Sequence, residues 1–158
     1  MSKKLLFRLA VLVMAMMCAL GVSAQEAYAV YTSDNTTLTF YYDSDRSDHT
    51  GTIYDLNTDG NDPAWCSDGT KDNVTRAVFD PSFADARPTT THGWFSGMEH
   101  LESFEGLEHL ITSEVTRMDY MFYECKALTE LDLTTFNTTK VTNMGYMFSA
   151  CIQMQRID

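Results

Sequence analysis

The residues best placed for chemistry lie early in the chain, in the stretch Asp55-Leu56-Asn57-Thr58-Asp59-Gly60. Oxygen-bearing side chains at alternate positions, followed by glycine at the sixth, form the first half of an EF-hand-type calcium loop, where carboxylates and amides wrap a hard cation. The twelfth position, which should carry a bidentate Glu, holds Cys66. No helical pattern flanks the loop, and Asp, Asn and Gly also gather in plain turns because their side chains bond their own backbone. A turn is therefore expected, with calcium at Asp55, Asn57 and Asp59 as the alternative. No other cofactor is expected.

The other reactive side chains lack a catalytic pattern. His49, His92, His100 and His109 show no metal-ligand spacing. Cys66 becomes a nucleophile only if a His and an orienting group converge on it. No G-x-S-x-G, P-loop or H-E-x-x-H is present. Glu99, Glu102, Glu105 and Glu108 recur every three residues. Paired carboxylates suit a glycosidase, but such a run reads first as a solvated charged face. A non-enzyme with no catalytic residues is the expectation.

The elements that position these residues announce themselves by repetition. VTRMDYMFYEC from Val115 returns 26 residues later as VTNMGYMFSAC from Val141. WFSGMEHLESF from Trp94 is a degenerate earlier copy at an offset of 27. Within one copy, Met118, Met121, Phe122 and Cys125 carry the spacing of an amphipathic helical turn, with Thr116 or Thr142 as a cap. Leu128, Leu131 and Leu133 follow as L-x-x-L-x-L, the mark of a leucine-rich repeat. Alternation there places Thr129, Glu130, Asp132 and Thr134 on an exposed strand surface. Stacking sets Met144, Met147, Phe148 and Cys151 on the equivalent residues of the copy before, because a repeat buries its apolar stripe only against its neighbours. Cys125 and Cys151 then read as buried thiols in preference to a bridge. The expected fold is an α/β repeat: a leucine-rich-repeat solenoid of about 26-residue period behind a β-rich amino-terminal cap.

Residues 1–24 read as a signal peptide: Lys3, Lys4 and Arg8, an apolar run, then Val22-Ser23-Ala24 before the cut. Residues 25–92 form the cap. In it, AYAVYT and TLTFYYD make a hairpin about Ser33-Asp34-Asn35, and VTRAVFD is a strand ended by Pro81. Residues 93–158 hold one degenerate, one full and one interrupted repeat. Once the leader is removed, 8 basic face 22 acidic residues, a formal charge of −14. That charge argues against nucleic acid or an anionic membrane as partner. No apolar run in the mature chain is long enough to span a bilayer. Cys66, Cys125 and Cys151 remain, an odd number that rules out a disulfide-framework miniprotein.

From Met121 to Met144, MFYECKALTELDLTTFNTTKVTNM resembles the repeat of the BspA-type leucine-rich-repeat surface proteins of bacteria. AYAVYTSDNTTLTFYYD and VTRAVFDPSFADARPTTTHGWF are similar to the segment such proteins carry before their repeats. The resemblance implies an exported, secreted or surface-displayed scaffold for adhesion or protein binding, the amino-terminal part of a longer protein, with no catalytic residues. Its partners would be extracellular or host-surface proteins. Self-association through the open repeat edge near Ile157 is also expected. The alternative is a calcium- or glycan-dependent module in the cap, using Tyr41, Tyr42, Trp65 and Trp94. In a bacterial protein the N-x-T sequons at Asn35, Asn73 and Asn137 are incidental.

Overall fold

The computed structural model describes residues 24–58, 60–67 and 69–158. All of the predicted leader except Ala24 lies outside them, as does Asp59. The strands are β1 (Glu26–Tyr31), β2 (Thr37–Asp43), β3 (Thr52–Asp55), β4 (Arg76–Phe79), β5 (Ser103–Glu105), β6 (Glu130–Leu131) and β7 (Arg156–Ile157). Five form one mixed sheet in the order β3-β1-β2-β4-β5, and β6-β7 form a separate parallel pair. β1 runs antiparallel to β2 and β3, while β4 runs parallel to β2 and β5.

The hairpin forms where apolar alternation and a turn former meet. Asp34 Oδ1 accepts from the Thr32 hydroxyl at 2.6 Å and from the Thr36 amide at 3.1 Å. These bonds hold Asn35 at a φ of 58°, a conformation Asn tolerates. The inward faces of β1, β2 and β4 supply Tyr31, Leu38, Phe40 and Phe79 to a core completed by Trp65, Phe83, Trp94 and Phe95. Phe40 is its centre, stacked on Phe79 at 4.6 Å and on Trp94 at 5.0 Å. Offset rings at such distances add about 0.5–1.5 kcal/mol each beyond the burial of their area.

The expected α/β leucine-rich-repeat solenoid is overturned. The chain is a small β-rich mixed sheet, and helical structure among the described residues is confined to short 3-10 turns. The predicted amphipathic helix at Met118–Cys125 does not form, because Tyr120 and Glu124 sit at φ of 59° and 57°, in the left-handed region. The segment is a coil whose alternate amides leave it altogether. Met118, Tyr120, Phe122 and Glu124 donate to the carbonyls of Asn143, Gly145, Met147 and Ser149 in the next copy, at 2.9–3.0 Å. Thr91, Gly93, Phe95 and Gly97 donate in the same way to Arg117, Asp119, Met121 and Tyr123, at 2.7–3.1 Å. Thr116 and Thr142 cap no helix. Their hydroxyls donate to the carbonyls of Thr89 and Thr116, one coil earlier.

Side chains follow the same register. Phe95, Phe122 and Phe148 stack at 5.6 Å spacings, and Tyr120 stacks on Tyr146 at 5.1 Å. Met118, Met121, Phe122, Cys125 and Leu128 are fully buried; Leu131 and Met147 nearly so. Leu133, Phe148 and Cys151 are half-buried. Met144, expected in the core, is 49% exposed because it lies on the outer surface of the third coil.

Candidate functional site

The strand side of the stack is where the molecule opens. Among the described residues β5 pairs only with β4, and β6 only with β7, so two open strand edges stand between the first and second coils. Gly106 accounts for the break. At a φ of 68° it turns the chain into the 3-10 segment Leu107–His109, and a Cβ there would meet the Phe79 carbonyl oxygen at 2.3 Å. His109 Nδ1 lies 3.0 Å from that same carbonyl oxygen. The first coil is thereby drawn back onto β4, while among the described strands β6 of the second coil pairs with β7 alone.

The gap is a groove of about 340 Å³ with Phe104, Leu107 and Leu131 among its apolar lining. Glu102, Glu108, Glu130 and Asp132 supply its carboxylates, with Arg156 as the single basic group. Arg156 pairs with Asp158, Nε at 2.7 Å, and its charge also reaches Asp132. Asp132 Oδ1 accepts from the amide and hydroxyl of Thr134 at 3.0 and 2.6 Å, and these bonds hold its carboxyl below the usual carboxylate range. Of the four expected binding-surface residues, Thr129, Glu130 and Asp132 line the groove and Thr134 orients Asp132. The periodic glutamates divide. Glu99 pairs with Lys126 at 2.6 Å and Glu105 with Arg76 at 3.5 Å, leaving Glu102 and Glu108 for the groove.

The cap residues singled out for metal or sugar have other work. Asp55 pairs with Arg46 at 2.5 Å. Asn57 Oδ1 accepts from Trp94 Nε1 at 2.7 Å, and its Nδ2 donates to the carbonyls of Asn61 and His92 at 3.0 and 3.2 Å. Among the described residues no group of three His, Cys, Asp or Glu side chains is placed to hold a metal. Trp65 and Trp94 are fully buried, so neither offers a face to a sugar, while Tyr41 and Tyr42 are half-buried. Among the described residues, Cys66, Cys125 and Cys151 are not joined in a disulfide. Cys125 and Cys151 donate to the carbonyls of Phe95 and Phe122 one coil earlier, at 3.3 and 2.9 Å. Burial pushes both thiols up, most of all Cys125, away from the thiolate that a nucleophile needs.

Two structural roles escaped the sequence reading. Asn57, Trp65 and Cys66 act on the first coil as a preceding coil would. Trp65 Nε1 donates to the Trp94 carbonyl at 2.7 Å, beside the Asn57 bond to His92 and the Cys66 thiol 3.4 Å from the Gly93 carbonyl. The second is a buried ionic network. His92 Nδ1 lies 2.8 Å from Asp119 Oδ2, and Arg117 reaches both oxygens of that carboxylate at 3.0 and 2.7 Å. Burial works against the Asp119 charge, but the Arg117 bonds and neighbouring His92 outweigh it and hold the carboxyl below its ordinary value. His92 and Asp119 are 27 positions apart, the offset of the first two copies, so the repeat register was the signal that they stack.

Residues 89–157, the part of the chain that forms the stack, match the model of a family described as a Mycoplasma protein of unknown function, DUF285. No curated protein and no solved structure matches the chain.

Proposed function

We propose that this is an exported, non-enzymatic repeat scaffold that binds proteins outside the cell through the strand side of its stack. The observation that carries the reading is the groove between β5 and β6, with two free strand edges, an apolar floor and carboxylates around it. Free edges are ready-made templates for another chain. The leader-like residues 1–24 and the resemblance of Met121–Met144 to the repeat of BspA-type bacterial surface proteins support export and display. The net charge of −14 after leader removal favours protein over nucleic acid as partner.

Self-association belongs to the same reading and runs through the outer edge of β7. Ile157 there is 44% exposed, on a strand paired on one side only. Among the described residues the adjoining amides of Met144, Tyr146, Phe148 and Ala150 have no partner, and they offer donors alone. Two copies related by a two-fold axis would set donors against donors there, so that row contributes nothing to a dimer.

The test is binding of the exported chain to immobilised extracellular-matrix proteins, with Glu130→Lys as control. Saturable binding that the substitution weakens is the expected result. Absence of binding to every matrix protein, with the chain folded, would overturn the reading.

A further inference from the structure

The geometry points to a specific class of occupant for the β5/β6 groove: an extended, Lys- or Arg-bearing segment of another protein, which adds a strand to the free edge of β5. This rests on the protein-binding reading above and names its partner.

The break in the sheet defines the site. β5 ends a five-stranded sheet whose neighbouring strand β4 runs parallel to it, and the next strand in sequence, β6, turns its pairing to β7. Among the described residues the outer edge of β5 therefore carries amide and carbonyl groups without a sheet partner, beside an open groove that Ser103 and Phe104 line. A strand added there satisfies them in the way a β-augmented peptide satisfies any sheet edge. At about 340 Å³ the groove is near the small end of the roughly 300–1,000 Å³ typical of ligand sites, so it receives a chain segment and not a folded knob.

Charge selects the segment. Glu102, Glu108, Glu130 and Asp132 line the groove, and no ion pair to a basic residue is recorded for any of them among the described residues. The one lining cation, Arg156, is ion-paired with Asp158, and its charge also reaches Asp132. Alternate side chains of an added strand point to one face, so basic residues at every second position meet carboxylates while the intervening ones lie over Phe104 and Leu131. A second copy of this chain is a poor occupant because it too is strongly acidic.

The test uses the exported chain and a short synthetic peptide alternating Lys and Thr. It is compared with a peptide carrying Glu in place of Lys, and with a Lys-Thr form N-methylated at alternate amides. The Lys-Thr peptide is expected to bind, and to weaken with salt. The Glu and N-methylated peptides should each bind about tenfold or more weakly, the first for charge and the second for lost ladder bonds. Glu102→Gln with Glu130→Gln should weaken the Lys-Thr peptide comparably; both sites are exposed, and circular dichroism checks that the fold is kept. Equal binding of the N-methylated peptide would overturn strand addition. Equal binding of the Glu peptide would overturn the charge argument. If no peptide binds while matrix proteins still do, this inference falls and the scaffold reading stands; if neither binds, both fall.

Discussion

At the first coil, the carbonyls of His92 and Trp94 receive Asn57 Nδ2 and Trp65 Nε1 from the cap. At the third coil, the amides of Met144, Tyr146, Phe148 and Ala150 have no recorded partner among the described residues. Among the described residues the exposed large apolar side chains, Met144, Tyr146, Ile152 and Ile157, lie at this second end. The contrast shows that the stack has a direction. Along the turn segments Thr91–Gly97 and Met118–Glu124 each coil offers alternate amides to the coil after it, whereas Thr116, Ala127, Thr142 and Gln155 donate to the coil before, so on the turn face the two ends need different chemistry. A terminator at the first end must donate, and indole and amide N–H groups do so there. A terminator at the other end must accept, and the described residues supply none.

The largest expected effect breaks the capped end. Trp65→Ala removes a fully buried indole from the centre of the core and the hydrogen bond to the Trp94 carbonyl. A loss of about 4–5 kcal/mol is expected in urea unfolding, near the upper end for large-to-small core changes. Phe122 and Phe148 then sharpen the comparison, since they are the same residue in successive coils. Phe122 is fully buried between Phe95 and Phe148, whereas Phe148 is half-buried with a ring on one side. Phe122→Ala should cost about 3–4 kcal/mol and Phe148→Ala about half of that or less by the same measurement. Equal costs would mean that something covers the third coil.

A smaller effect separates the ends by pH. Asp119 has a lowered carboxyl pKa, so its stabilisation is complete above the ordinary carboxylate value of about 4 and is lost as pH falls through its folded value. Asp119→Asn should destabilise by about 2–3 kcal/mol at neutral pH, somewhat less than a fully buried pair because Arg117 is partly exposed. It should also flatten the acid limb of the stability-against-pH curve. In the third coil Gly145 stands where Asp119 stands in the second, so this acid sensitivity belongs to the first two coils.

Much of this architecture was legible in the chain. The hairpin followed from alternation in AYAVYT and TLTFYYD about a turn, because a half-buried strand leaves that period in its sequence. The repeat and its stacking register followed from identity at an offset of 26. The conformation inside each coil did not follow. Met118, Met121, Phe122 and Cys125 are spaced as a helix would space them, and a coil alternating into the left-handed region buries the same four side chains. The usable signal was glycine: Gly93 and Gly97 occupy those left-handed positions in the first coil, at φ of 64° and 73°, where Tyr120 and Glu124 stand in the second. The groove was half legible. Thr129, Glu130 and Asp132 were identified as an exposed surface, but the opposite wall depends on Gly106 folding back against Phe79, a contact between residues far apart in sequence. Asn57 was noticed for a metal-loop pattern, whereas its amide serves Trp94 and His92, because local spacing does not reveal what a turn faces.

The most direct test of the directional stack is amide hydrogen exchange under native conditions, read residue by residue. The amides of Met118, Tyr120, Phe122 and Glu124 donate to the next coil and should be protected by several orders of magnitude, up to the limit set by global unfolding. Those of Met144, Tyr146, Phe148 and Ala150, at the same repeat positions, should exchange near the rate of an unfolded chain. Similar protection in the two sets, or protection of Met144 to Ala150 alone, would contradict the account.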